Sequence, residues 1–294
     1  MRPVGWHRQE HPPTHSPRST LPAVRPKVRA VHEIAFHIGS LTVHWYGILV
    51  AAGFMAGYWT AQRRGLRDGL SPDAVADVVF WLFLGGIVGA RTLYVASYWR
   101  EEFADEPWTK IFTTRSGFVF YGGLIGATIC GIAYARRKRL PVWKLADALV
   151  PSVALGHALG RLGCFMTGCC HGRACDLPWA VHFPLEHPTH GAGVHPTQLY
   201  EATLNLALYA ALAWWYRRKQ FDGQVFAIYL MAYAPVRALV EHFRGDYAPA
   251  KFLGPLSPGQ LVSVGIFTAG VVFYLVLRPR IPAPRPPNPD PKSV

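Results

Sequence analysis

Two stretches of this chain leave few choices of fold. His44–Ala61 (HWYGILVAAGFMAGYWTA) contains no Asp, Glu, Lys or Arg, and Leu261–Leu277 (LVSVGIFTAGVVFYLVL) is equally bare. Each approaches the roughly 20 residues that a helix needs to cross a hydrocarbon core of about 30 Å. Comparable segments lie near 78–99, 117–135, 146–163, 202–216 and 224–241, some with isolated polar groups. Only 16% of the 294 residues are charged, well below the roughly 25% of ordinary soluble domains. The fold class this predicts is all-α: a polytopic membrane bundle of seven transmembrane helices.

Charge between the segments orients the bundle. Arg63, Arg64 and Arg67 follow the first segment, and Arg136, Arg137, Lys138 and Arg139 follow the third. Arg217, Arg218 and Lys219 follow the fifth, and Arg278 and Arg280 the seventh. If the segments alternate, all four clusters share one side, which the positive-inside rule makes cytoplasmic. The N-terminus is then outside and the C-terminus cytoplasmic. Much of the net charge of +13 is accounted for in this way and requires no nucleic-acid partner. Residues 1–33 are predicted to be a disordered, basic, Pro-rich extension without the apolar core of a signal peptide. Residues 34–280 form the membrane domain, and 281–294 a disordered Pro-rich cytoplasmic tail. No internal repeat suggests the halves of a transporter.

Ionisable residues at membrane depth are costly and default to functional hypotheses, against the alternative of helix–helix hydrogen bonds or snorkelling ends. Arg161 lies in GRLG at the outer end of the fourth segment, and Glu201 opens the fifth in HPTQLYE. Arg237, Glu241 and Arg244 are spaced i, i+4 and i+7, which places them on one face of a continuous helix. Gly122 and Gly123, in YGGLIG, let a neighbouring backbone or a lipid headgroup come close. Guanidinium groups at this depth suit a phosphate, which they bind through bidentate, charge-assisted hydrogen bonds. The residues alone therefore point to an outward-facing phospholipid headgroup site.

With these motifs in hand, the chain resembles the prolipoprotein diacylglyceryl transferases. HWYGILVAAGF, GARTLYV, YGGLIG, GRLGCF, HPTQLYE, RALVEHFR and SPGQLVS occur in the family's order between about Ile34 and Leu277. The resemblance implies transfer of the diacylglyceryl group of phosphatidylglycerol to the lipobox cysteine of a prolipoprotein. That reaction forms a thioether and releases glycerol phosphate, the first step of bacterial lipoprotein maturation, with no metal or organic cofactor. It further implies a multi-pass protein of the bacterial inner membrane, expected to be a monomer, whose partners are phosphatidylglycerol, lipobox segments and the bilayer. Catalytic roles fall on Tyr121, Arg161 and Arg237. Phospholipid binding falls on Tyr46, Gly122, Gly123, Arg161, Gly172, Glu201, Arg237, Glu241 and Arg244.

Three positions depart from the family's usual pattern: Tyr121 replaces His, Cys164 replaces Asn and Cys169 replaces Glu. Phenols ionise near pH 10 and are weak bases at neutral pH unless a cation such as Arg161 or Arg237 assists. His171 and His195 are alternative bases, and a thiol with a pKa of about 8.5 is already partly ionised without one. Cys164, Cys169, Cys170 and Cys175 lie on the outer side, where disulfides persist. Their spacing leaves disulfides, free structural thiols and a metal set open. The rival functions are a relative with altered lipid or acceptor specificity and a non-catalytic lipid-binding or transport protein.

Overall fold

The computed structural model describes residues 33–278 except 105, 115–116 and 247–256. The expected N-terminal extension up to residue 32 and the expected C-terminal tail lie outside the described residues. All seven apolar segments form helices: α1 (Trp45–Arg67), α2 (Pro72–Ser97), α4 (Phe120–Arg137), α5 (Val142–Thr167), α6 (Thr197–Tyr216), α7 (Gln224–Phe243) and α8 (Pro258–Leu277). One further turn, α3 (Lys110–Thr113), lies between α2 and α4. By length and composition, α2, α5 and α8 are apolar enough to cross a membrane. Two short antiparallel hairpins add a little strand to the expected all-helical class. One pairs β1 (Ile34–Ile38) with β2 (Leu41–His44), and the other pairs β3 (Val181–His182) with β4 (Gly193–Val194).

Local chemistry sets several ends. Ser71 accepts from the Ala74 amide at 3.1 Å and starts α2 ahead of Pro72. Ser257 and Gln260 form a capping box before Pro258 in α8. Gly168, with φ of 78°, closes α5 in the left-handed region and reverses the chain.

Small residues decide how the helices pair. A Cβ on Gly89 would lie 2.3 Å from the Gly122 carbonyl oxygen, and one on Gly126 would lie 2.3 Å from that of Gly85. No side chain fits there, so α2 and α4 run antiparallel with their backbones in contact. On α1 and α5, Gly53 faces Gly156 and Leu159, Gly57 faces Ser152, and Gly163 faces the ring of Tyr46. Gly270 of α8 sits against Met231 of α7, and Gly259 against Glu241. The large apolar side chains turn outward instead, among them Phe54, Phe83, Ile87, Ile125, Ile129 and Val264.

These antiparallel pairings collect the basic clusters at one end. There Lys219 reaches Asp68 at 2.5 Å, Asp147 at 3.3 Å and Asp222 at 3.2 Å. Asp147, fully buried, also accepts from the amides of Gly223 (2.8 Å) and Phe226 (3.0 Å). Tyr216 donates to Asp68 at 2.7 Å, and Arg64 to Ser152 at 2.9 Å. Leu70, Val75, Val78, Ala135 and Leu145 pack beneath this network with Ala61. The end of α1, the starts of α2, α5 and α7, and the end of α4 are thereby tied together.

Candidate active site

The opposite end carries the residues singled out in the sequence. Arg161 and His157 lie one turn apart near the end of α5, and Glu201 sits in the first two turns of α6, only 1% exposed. The carboxylate of Glu201 uses one oxygen for Arg161 Nε (2.9 Å) and the other for His157 Nε2 (3.2 Å). The single hydrogen on Arg161 Nε is donated to His157 Nε2 at 3.2 Å, so the carboxylate meets Nε as an ion pair. His157 Nε2 accepts this bond and lies 3.2 Å from Glu201 Oε1 without hydrogen-bond alignment. Because Arg161 is held through Nε, its terminal NH2 groups make no hydrogen bond to a described residue. Its side chain is 16% exposed.

A second pair stands on α7. Arg237 Nη1 lies 2.6 Å from Glu241 Oε2, the i, i+4 contact foreseen from the spacing. These two atoms form an ion pair without the alignment of a hydrogen bond. Ser257, at the start of α8, donates to the other oxygen of Glu241 at 3.3 Å. Gly259 leaves the room this requires, since a Cβ there would lie 2.5 Å from Glu241 Oε1.

Arg244 departs from the expectation of a shared helical face. The helix ends at Phe243, and Arg244 is extended at its C-cap (φ −66°, ψ 146°). Its guanidinium forms two bonds to Asp246, at 3.0 and 2.7 Å. Its backbone pairs with Gly172 in an antiparallel bridge. That bridge belongs to a seam in which the Gly172 amide donates to His195 O (2.9 Å), Arg173 N to Phe243 O (2.9 Å) and Gly245 N to His171 O (3.2 Å). A Cβ on Gly172 would lie 2.5 Å from His195 Cβ, so only glycine lets the three strands of chain meet.

The cysteines hang above α6. Gln198 donates to the Cys169 carbonyl and Thr197 to that of Cys170, each at 2.7 Å. The reversal at Gly168 brings the sulfurs of Cys164, Cys169 and Cys170 within 4.8 Å of one another. Cys175 is not part of this group, and all five cysteines are free thiols. Cys170 is held below the ordinary thiol range, because the Cys164 and Cys169 thiols donate to it and Arg161 and Arg244 lie nearby.

Tyr46, at the start of α1, lies against Gly163 and within electrostatic reach of the three cysteines and Arg161. Tyr121 is half-exposed near the start of α4, edge-on to Phe120. Its hydroxyl makes no hydrogen bond to a described residue, an arginine included. Tyr233, a partly buried ring on α7 that stacks on Tyr229 and lies beside His157, stands within electrostatic reach of Tyr121, Glu201, Arg237 and Arg161. Of the two readings of YGGLIG, close approach of a backbone is the one Gly122 makes, against Gly89. Gly123 faces Gly86 and Ala90 on the same helix.

The alternative bases are already engaged. His171 Nδ1 bonds the Gly172 carbonyl at 3.0 Å, and His195 Nδ1 lies 3.3 Å from the Tyr200 hydroxyl. Burial, and then Arg173, lower the pKa of His195. Arg91 donates to the carbonyls of Ile111 and Gly117, which ties the chain between α2 and α4 back onto α2.

Sequence reading missed Gln198 and Asn205, which flank Glu201 on one buried face of α6. Gln198 Oε1 and Asn205 Oδ1 have no hydrogen-bond partner among the described residues. Their signal was present as polar residues at i, i+3 and i+7 in an otherwise apolar helix.

Comparison with known proteins bears directly on this arrangement. Residues 33–276 match the family model described as "Prolipoprotein diacylglyceryl transferase". The phosphatidylglycerol–prolipoprotein diacylglyceryl transferase of Bacillus cytotoxicus is 36% identical over 257 residues, covering 85% of this chain and 94% of the relative. Those of Bordetella bronchiseptica and Geobacter sulfurreducens are each 37% identical, covering 83% and 85% of this chain and 95% and 96% of theirs.

Proposed function

The chain belongs to the prolipoprotein diacylglyceryl transferase family, and from that premise we propose that it transfers diacylglyceryl from phosphatidylglycerol to a lipobox cysteine. The observation that carries this reading is Arg161, fixed by buried Glu201 through Nε with its terminal NH2 groups left for a ligand. Arg237, held by Glu241, supplies the second guanidinium. Together they bind the phosphate of phosphatidylglycerol and stabilise the charge that develops on its oxygen as the C–O bond breaks. Preorganisation by the two carboxylates means that neither arginine reorients during the reaction. The acceptor thiolate attacks the glyceryl carbon, the C–S bond forms, and glycerol phosphate departs with the electron pair of the broken C–O bond.

Tyr121 acts at this site as a hydrogen-bond partner or base toward the thiol. Tyr46, Glu201, Glu241 and Arg244 shape the headgroup pocket, and Gly122, Gly123 and Gly172 bind phospholipid indirectly, by the close backbone approaches that frame it. Seven helices span the bacterial inner membrane, with the N-terminus outside, the C-terminus cytoplasmic and the protein monomeric. Gathering of the basic clusters at the end opposite Arg161 supports this orientation.

The direct test combines purified protein, phosphatidylglycerol and a lipobox peptide. Mass spectrometry should find a thioether-linked diacylglyceryl peptide and released glycerol phosphate. Recovery of unmodified peptide alone would refute the reading.

A further inference from the structure

Three thiols stand beside a site whose reaction consumes a fourth. Cys164 comes from the last turn of α5, and Cys169 and Cys170 from the reversal after Gly168, with their sulfurs within 4.8 Å of one another. We propose that Cys164, Cys169 and Cys170 form a three-thiolate site for Zn2+ whose open fourth position takes the acceptor thiol. The proposal rests on the transferase reading for its chemistry, but not for the existence of the ion site.

The geometry is close to what zinc requires. Zn–S bonds of about 2.3 Å at tetrahedral angles place sulfurs roughly 3.8 Å apart. The observed spread of at most 4.8 Å lies within about 1 Å of that spacing. No fourth Cys, His, Asp or Glu joins the group among the described residues. Three protein ligands with one open position is the arrangement of catalytic rather than structural zinc. The surroundings also hold the ligands in place. The Thr167 hydroxyl donates to Cys169 Sγ at 3.3 Å, and Gln198 and Thr197 fix the carbonyls of Cys169 and Cys170. Cys169 is exposed, so an incoming thiol has access. Arg161 and Cys164 stand three residues apart on α5, hence on neighbouring positions of one helical face, which puts a bound phosphate and a bound thiol side by side.

Zinc would supply the ionised thiol directly, leaving Tyr121 its hydrogen-bonding role toward the sulfur. A thiol that coordinates the ion loses its proton to solvent water and binds as thiolate. Its sulfur attacks the glyceryl carbon bonded to the phosphate oxygen. The C–S bond forms, the C–O pair stays on the phosphate against Arg161 and Arg237, and no redox change occurs. The resulting thioether is neutral and a weaker zinc ligand than a thiolate, so the product leaves.

The test uses the full chain in detergent, kept reduced, stripped with a chelator and titrated with Cd2+ as a spectroscopic substitute for Zn2+. One equivalent should produce a sulfur-to-cadmium charge-transfer band. A lipobox peptide should raise that band by about one third, as three Cd–S bonds become four, whereas the Cys→Ser peptide should not. Cys169→Ser and Cys170→Ser should each weaken binding at least about tenfold, and Cys175→Ser and Cys130→Ser should bind as the parent does. Chelation should lower turnover at least tenfold, with recovery on adding Zn2+. Absence of the band in the parent chain overturns the ion site, even if product still forms. A band that ignores the peptide, or turnover that ignores the chelator, overturns the thiol-activating role. A band that grows with peptide while no product ever forms upholds the site and counts against the transferase reading instead.

Discussion

The two ends of the bundle bury the same kinds of groups and treat them differently. At the basic end, Lys219 has three N–H donors and three carboxylates to receive them, and Asp147 is further satisfied by two backbone amides. At the other end, Glu201 meets Arg161 and His157 at ion-pair distance, but the terminal groups of Arg161 find no described acceptor. Gln198 Oε1 and Asn205 Oδ1, buried on this second end, have neither a hydrogen bond nor an ion pair among the described residues. Buried polar groups left incompletely paired cost about 1–3 kcal/mol each. Such a cost concentrated at one end is consistent with a place where a ligand completes the network. A saturated ion network holds helices together, and one with donors left over binds something.

This contrast is broken most easily at the basic end. Lys219→Met removes the cation shared by three carboxylates, and the loss of a buried partner costs about 3–5 kcal/mol. Unfolding in detergent should show that loss, while turnover per folded molecule stays near the parent value. A loss under about 1 kcal/mol, within the range of a surface ion pair, would mean that this network is not what secures the bundle.

At the site end the opposite pattern is expected. Arg161→Lys and Arg237→Lys keep the charge but lose the planar fork. Turnover should fall at least about tenfold, roughly 1.4 kcal/mol of transition-state stabilisation, with unfolding little changed. Near-parent turnover in both variants would remove the phosphate clamp.

A smaller effect sharpens the role of Tyr121. Tyr121→Phe should cut turnover on the order of fivefold near neutral pH, less than the factor of about 10²–10⁴ usual for general acid–base catalysis. The deficit should shrink as pH rises and the acceptor thiol ionises unaided. Tyr121→His should remain active. A pH-independent, silent Tyr121→Phe would reduce the ring to packing beside Phe120.

The smallest effect concerns the loop that covers the site. Burial lowers the pKa of both His187 and His195 below their ordinary 6.5. The unfolded loop therefore takes up protons first as pH falls, and stability contributed by the neutral rings is present above about 6.5 and declines below it. Amide exchange between Gly168 and His195, corrected for its intrinsic pH dependence, should accelerate relative to α5 as pH drops from 7.5 to 5.5. Uniform protection across that range would show that the two rings do not hold the loop.

Several features were legible because they are local. Apolar runs gave the seven helices, and the spacing of Arg237 and Glu241 placed them on the one helical face where they pair. Positive residues between the runs suggested that the basic clusters share an end, and Lys219 meeting Asp68 brings the chain after α1 and the chain after α6 together. Arg244 was misread because helical spacing holds only while the helix continues, and α7 stops one residue before it.

Sequence by itself thus determined a mostly helical chain, its polar residues at apolar depth and its family resemblance, all carried by composition, order and short-range periodicity. Tertiary structure alone decided that Arg161 is gripped by Glu201 forty positions away and that Asp147 meets Lys219. It also decided that a left-handed turn at Gly168 folds Cys169 and Cys170 back onto Cys164. Periodicity tells which face of a helix a residue occupies, but the neighbour that face meets is set by where backbones can approach, as at Gly89 and Gly122.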